Sequence, residues 1–252
     1  MSYKVQRVST VLFLLLALSG WLCHGLDLDR GLSTGDPSQF NFVRIRYNGF
    51  VSSWSAGNWG APPWAHDYPR AERNFLKILE ELTQIDTTSE SFLILDLEDP
   101  EIMNYPILYV SEPGYWNCSE AEVENLREYF LRGGFVIFDD FRDSPGEWRN
   151  FSSCIKKVFP DRNMEKLNVD HPVFHCFYDL ASLDMIPPYQ IVDAEPVFFG
   201  LHDEGGRLQL VANFNNDIGD YWEWSDERLA PIELSNEAYK LGINYVIYAM
   251  TH

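Results

Sequence analysis

At 252 residues and a formal net charge of −19, the chain is strongly acidic, which argues against nucleic acid and anionic membrane as partners and disfavours polyanionic substrates. Hydrophobic residues make up 46% of it, enough for one large core rather than several small ones. Its 4 cysteines include no C-x-x-C pair, which argues against a zinc ribbon or a thioredoxin-type motif.

In chain order, Lys4 and Arg7 precede an apolar run, Val11 to Leu18, that is too short to span a bilayer. Cys23-His24-Gly25 offers small residues at the positions a signal peptidase reads. Residues 1–25 are therefore expected to be a cleavable signal peptide, with an uncleaved anchor as the alternative. The mature protein would be periplasmic or secreted, with no stable membrane insertion. Loss of Lys4 and Arg7 would make it more acidic still, and loss of Cys23 would leave Cys118, Cys154 and Cys176 to form at most one disulfide.

Residues 26–39 read as a flexible leader and residues 40–252 as one domain. Phe40 to Tyr47, FNFVRIRY, alternates as a strand, and Asn48 to Tyr68 is an aperiodic loop carrying Trp54, Trp59 and Trp64. Asp67 and Pro69 open a helix whose stripe is Ala71, Phe75, Ile78, Leu79 and Leu82. Phe92 to Leu97 and Pro106 to Val110 are short apolar strands. Ser119 and Glu122 have capping-box spacing, Gly133-Gly134 stops the helix they open, and FVIF is a buried strand that delivers Asp139 and Asp140 to its carboxyl end. Ser144 to Glu147 opens a helix reaching about Val158. Pro160 to Pro188 is irregular, Val197 to His202 and Arg207 to Phe214 form a hairpin, Asn213 to Trp224 reads as a polar and aromatic loop, and Ser235 caps a final helix. Strands alternating with helices imply a mainly parallel sheet.

Taken together, FNFVRIRY, WAHDYPRAERNF, YPILYV, LREYFLRGGFVIFDDF, HPVF, GGRLQLVANFNNDIGDYWE and NEAYKLGINYVIYA resemble the bacterial domain of unknown function 4159 (DUF4159) family. The resemblance covers Phe40 to His252. It implies the class I glutamine amidotransferase-like superfamily, shared with ThuA-like proteins, and hence a flavodoxin-like α/β three-layer sandwich with a C-terminal β-hairpin. In that superfamily a GG-containing strand ends in a nucleophilic cysteine on a tight turn, a position that falls here at Asp139. With neither Cys nor Ser there, thioester-based glutamine hydrolysis is not expected.

Carboxylates at the carboxyl end of a central strand lie where open α/β sheets bind ligands. Asp139 and Asp140 could serve as general acid or base, as metal ligands or as caps, and sharing one pocket requires the chain to leave the strand between them. His171, before a proline, is the histidine best suited to join them in acid–base work or in holding a divalent metal, while His66 and His175 sit among aromatics and could simply pack. Asn213, Asn215 and Asp217 imitate the opening of a calcium loop, but Ile218 and Trp224 stand where glycine and a bidentate glutamate are required, which excludes an EF-hand. Trp54, Trp59, Trp64, Trp222 and Trp224 could stack on a sugar or cover the sheet. The acidic and amide groups beside them, Asp67, Asn213, Asp217, Asp220 and Glu223, would then line the cleft. Two functions fit: a non-catalytic domain binding a small molecule, a carbohydrate or an envelope protein, and a hydrolase of a carbohydrate or envelope substrate using Asp139 or Asp140 with His171, with or without a divalent metal.

Overall fold

A computed structural model describes residue 36 and residues 38–49, 61–142, 146–183, 195–227 and 229–252. The expected signal peptide, most of the leader, Trp54 and Trp59 lie outside the described residues. The elements are β1 (Phe42–Arg46), α1 (Arg70–Leu82), β2 (Phe92–Asp96), β3 (Ile107–Ser111), α2 (Glu120–Leu131), β4 (Phe135–Phe141), α3 (Glu147–Val158), β5 (Glu165–Lys166), β6 (Val197–His202), β7 (Leu208–Phe214), α4 (Ile218–Glu223) and α5 (Ile232–Thr251). They build a mixed α/β domain on a seven-stranded sheet of order β2-β1-β3-β4-β7-β6-β5. Strands β2, β1, β3, β4 and β7 are parallel, and β6 runs antiparallel to both β7 and β5. Among the described residues no helix is long and apolar enough to cross a membrane.

The central strand shows why its first four residues, FVIF, are all apolar. Phe135 faces Tyr245 and Tyr248 of α5, at 6.5 and 6.0 Å between ring centroids, whereas Phe138 faces Phe151 of α3 at 4.9 Å. A strand covered on both faces has no solvent side to make polar. The helix before it is set by its ends. Ser119 and Glu122 form the reciprocal capping box, and Gly133 takes the left-handed conformation (φ 92°) just past the helix. Gly134 lies so close to Tyr129 that a Cβ would come within 2.2 Å of its ring.

Three boundaries differ from the sequence reading. The Asn213 to Trp224 segment is not all loop: it holds α4, capped by Asp217, whose side chain accepts from Asp220 N–H. Helix α5 begins at Ile232 after Pro231, so Ser235 lies inside it, buried and with no hydrogen-bond partner for its hydroxyl. Helix α3 starts after Gly146 with no side-chain cap.

Cys118, just before α2, is disulfide-bonded to Cys154 of α3, and Cys176 is free. The bridge closes a loop with a sequence separation of 36, so losing it is expected to cost about 2–4 kcal/mol through the freedom it restores to the unfolded chain. Thermal unfolding of a Cys118→Ser/Cys154→Ser variant tests this; an unchanged Tm would contradict it.

Candidate functional site at the carboxyl edge of the sheet

Four strands deliver side chains to one edge. Strand β3 ends in Ser111 and Glu112, β4 in Asp139 and Asp140, and β7 in Asn213, from which the chain runs through Asn215 and Asp217 into α4 with Asp220 and Glu223. The segment between β1 and α1 passes through a 3-10 turn at Pro63–Ala65 and presents His66 and Asp67. That turn is anchored from below. Arg44 of β1 is buried, ion-paired with Glu72 of α1, and donates from Nη1 to the Trp64 carbonyl at 3.0 Å.

Asp139 and Asp140 divide sharply. Asp139 points inward, on the same face as Phe135 and Ile137, and accepts from four donors: Tyr109 Oη at 2.8 Å, Asn213 Nδ2 at 2.9 Å, and the N–H groups of Ile218 and Gly219 at 3.0 and 3.1 Å. Burial pushes its pKa up to about 7, while the bonds from Asn213 and Tyr109 pull it down. Asn213 is itself fixed, its Oδ1 accepting from Tyr245 Oη at 2.8 Å. Both residues tie β4, β7, α4 and α5 together.

Asp140 breaks the alternation. It sits in the left-handed region (φ 58°), and the pairing with β7 shifts register between Phe138 and Phe141. The chain thus leaves regular strand geometry between the two aspartates. The Asp140 carboxylate is turned onto His66, with Oδ2 at 2.6 Å from Nδ1. Asp67 Oδ1 and Glu112 Oε1 lie 3.6 and 3.8 Å from the same nitrogen.

The backbone marks this pocket independently of its chemistry. Among the described residues, the non-glycine residues with positive φ are Asp67 (65°), Glu112 (47°), Asp140 (58°) and Asn215 (57°), and all four stand at this edge. Left-handed backbone disfavours residues with a Cβ and persists where the surroundings over-determine it, so its concentration here points to function.

The electrostatics are those of crowded carboxylates. Burial raises Asp67 and Asp217 well above the usual range, and repulsion from Asp140 and Asp220 adds to it. Burial and Asp140 push Glu112 up to about 8, and Asp220 and Glu223 are raised as well. Burial works against a charge on His66, but Asp140, Asp67 and Glu112 outweigh it and raise the imidazole to about 11. Two groups place their ligand atoms within 4.8 Å of one another, as a metal ion needs: His66 with Asp140 and Asp217, and His66 with Asp67 and Asp220.

A family model for "Domain of unknown function (DUF4159)" matches residues 41–250. The chain belongs to the DUF4159 family. A comparison with curated proteins gives no match. All the strands that shape the pocket lie within the DUF4159 match.

His171 is not part of the pocket of this DUF4159 domain. Its Nε2 lies 3.1 Å from Nε2 of His202, and His202 stands opposite Leu208, the first residue of β7. Because β6 runs antiparallel, this places His171 at the amino edge of the parallel strands, away from Asp139 and Asp140. His175 bonds Asp179 and the Val169 carbonyl. His66, which the sequence reading set lower, is the histidine the fold brings to Asp140.

The tryptophans also separate. Trp64 is buried in the turn below His66, and Trp222 is fully buried, 4.4 Å from Phe75 between ring centroids. Trp224, at the C-cap of α4, lies under the Arg70 guanidinium at 5.3 Å. Glu112 was missed, although a glutamate directly after a buried parallel strand carries the same positional signal as Asp140.

Proposed function

We propose that this DUF4159 domain is an exported hydrolase that works at the carboxyl edge of its sheet, with Asp140 and His66 holding and polarising the attacking water. The observation that carries this reading is the Asp140–His66 contact, made by a residue in left-handed backbone at the end of the central strand. A carboxylate and an imidazole in contact, in a pocket where His66 remains 31% exposed, are a minimum set for activating water and handling its proton. The strand order β2-β1-β3-β4-β7 supports a flavodoxin-like sandwich related to the amidotransferase-like and ThuA-like proteins, and such sheets bind ligands at this edge. The chemistry differs from an amidotransferase. The strand ends in two aspartates, Cys118 and Cys154 are joined to each other, and Cys176 contacts the Asn244 carbonyl at 3.0 Å. The disulfide fits an oxidising compartment and so supports export.

Carboxylates from three strand ends and α4 would repel an anionic substrate, so neutral or cationic envelope carbohydrates and their acyl or amide derivatives are the proposed class. A panel of chromogenic glycosides, esters and anilides, supplemented with cell-wall glycan fragments and assayed with and without Mn²⁺ and Zn²⁺, tests the reading. The wild type is expected to turn over at least one class, and Asp140→Asn to lower kcat/KM by at least about 10²-fold. Turnover unchanged in the variant, or absent throughout, would overturn it. One observation favours a second reading, a non-catalytic binding domain for a small molecule, carbohydrate or envelope protein: the position of the amidotransferase nucleophile holds Asp139, which is fully occupied by four donors.

A further inference from the structure

We infer that the His66 pocket binds a divalent first-row transition cation, with His66, Asp140 and Asp217 as protein ligands and Asp67 as an additional oxygen donor. The inference rests on the same pocket as the hydrolase reading and adds the cofactor that would sit there.

The decisive residue is Asp67. It is 5% exposed, and among the described residues no N–H or hydroxyl donor reaches either of its carboxylate oxygens; the side chain it meets is another acid, Glu223. Its Oδ1 nevertheless lies 3.6 Å from His66 Nδ1. Gly219 walls the other side: a Cβ there would come within 2.5 Å of Asp67 Oδ2, so the fold makes room for this carboxylate by leaving out a side chain. Burying a carboxylate without a donor is costly, and nearby Asp139 shows that this fold can surround a buried aspartate with four donors. Among the described residues Asp67 lacks such donors; Glu223 can meet it only by holding a proton, whereas a cation would satisfy both carboxylates. Arg44, the buried cation whose field reaches Asp67, makes its bonds to Glu72 and the Trp64 carbonyl and none to Asp67.

The rest of the donor set agrees. His66, Asp140 and Asp217 place their ligand atoms within 4.8 Å of one another. Adjacent ligands of one ion at ordinary N and O bond lengths lie about 3 Å apart. His66 Nδ1 and Asp140 Oδ2, now at 2.6 Å, need open by only a few tenths of an ångström. Asp217 is oriented by the N–H of Asp220, the outer hydrogen bond that ligating carboxylates usually have. One imidazole among carboxylates suits Mn²⁺ or Zn²⁺ better than Ca²⁺, which prefers six to eight oxygens. The exposed flank of His66 gives the ion an entry path and leaves a position open for water.

The test uses the purified chain, stripped with a chelator and dialysed, then titrated separately with Mn²⁺, Zn²⁺ and Ca²⁺ by calorimetry, with Mn²⁺ followed also by electron paramagnetic resonance. Wild type is expected to bind Mn²⁺ or Zn²⁺ saturably and at least 10-fold more tightly than Ca²⁺. Asp140→Asn and His66→Gln are expected to weaken binding at least 10-fold, and so is Asp217→Asn, which keeps the helix cap; circular dichroism confirms that each is folded. No saturable binding by wild type, or affinities unchanged in all three variants, would overturn the inference. Binding without turnover in the hydrolase panel would uphold the cation and sink the hydrolase, whereas full turnover by the stripped protein together with no saturable binding would do the reverse.

Discussion

Asp139→Ala is expected to lower stability by about 3–5 kcal/mol, whereas Asp140→Asn should leave stability close to wild type. The two residues are adjacent and both buried, yet they do opposite work. Removing the Asp139 carboxylate strands the Tyr109 hydroxyl, the Asn213 amide and the first N–H groups of α4, all in the interior. Each buried orphan costs about 1–3 kcal/mol, and water entering the space relieves part of the sum. Asp139→Asn should cost less. Its oxygen can serve Tyr109 and the two N–H groups, and the Asn213 amide can turn over to accept from the new NH₂, because its present partner, the Tyr245 hydroxyl, can accept as well as donate. Chemical denaturation of the three variants decides the matter; equal losses for Asp139→Ala and Asp140→Asn would contradict the division of roles.

Glu72→Ala is the second large effect, with an expected loss of about 3–5 kcal/mol. Arg44 and Glu72 are 1% and 0% exposed, so removing the carboxylate leaves a guanidinium charged and uncompensated in the core. The surrounding contacts cannot replace it. Tyr109 offers its ring face 5.0 Å from the Arg44 guanidinium carbon, and the Trp64 carbonyl takes a single hydrogen bond. Replacing both partners with apolar residues, as in Arg44→Met/Glu72→Leu, should recover most of the loss, because the cost lies in the unpaired charge rather than in the missing pair. A double-mutant cycle by denaturant unfolding tests this; if the double variant were as unstable as Glu72→Ala, the explanation would fail. The same pair bears on the site, since Arg44 holds the turn that presents His66 and Asp67.

Much of this fold was legible in the chain, and the reasons are local. Ser119 with Glu122, Gly133 after the helix, the run FVIF and the turn Asp203 to Gly206 each state their structure within a few residues. Asp139 and Asp140 could share one pocket only if the chain left the strand between them; it does leave it, with Asp140 in left-handed backbone at a register shift, but Asp139 turns inward to its four donors and only Asp140 faces His66. Helix α4 was hidden because Asn and Gly around it read as turn residues, although Asp217 before Asp220 carried a capping signal.

The pocket was harder to read. His66 meets Asp140 across 74 residues, and nothing in its neighbours distinguishes it from a packed histidine. Its role depends on Arg44 anchoring the preceding turn and on the parallel order of β1, β3 and β4, neither of which is written near residue 66. His171 misled for the complementary reason. A His-Pro pair in a long irregular segment looks like a site loop, but only the antiparallel direction of β6 shows which edge of the sheet it joins. The sequence marks Asp67, Asp217 and Asp220 as cleft-lining residues, and their grouping around one histidine appears only in three dimensions.

The most direct measurement is an anomalous-scattering map from crystals of the full chain grown with Mn²⁺. A peak within bonding distance of His66, Asp140 and Asp217, with Asp67 turned toward it, is the result this account requires. No peak at that edge, or a peak confined to the His171–His202 pair at the opposite edge, would contradict it.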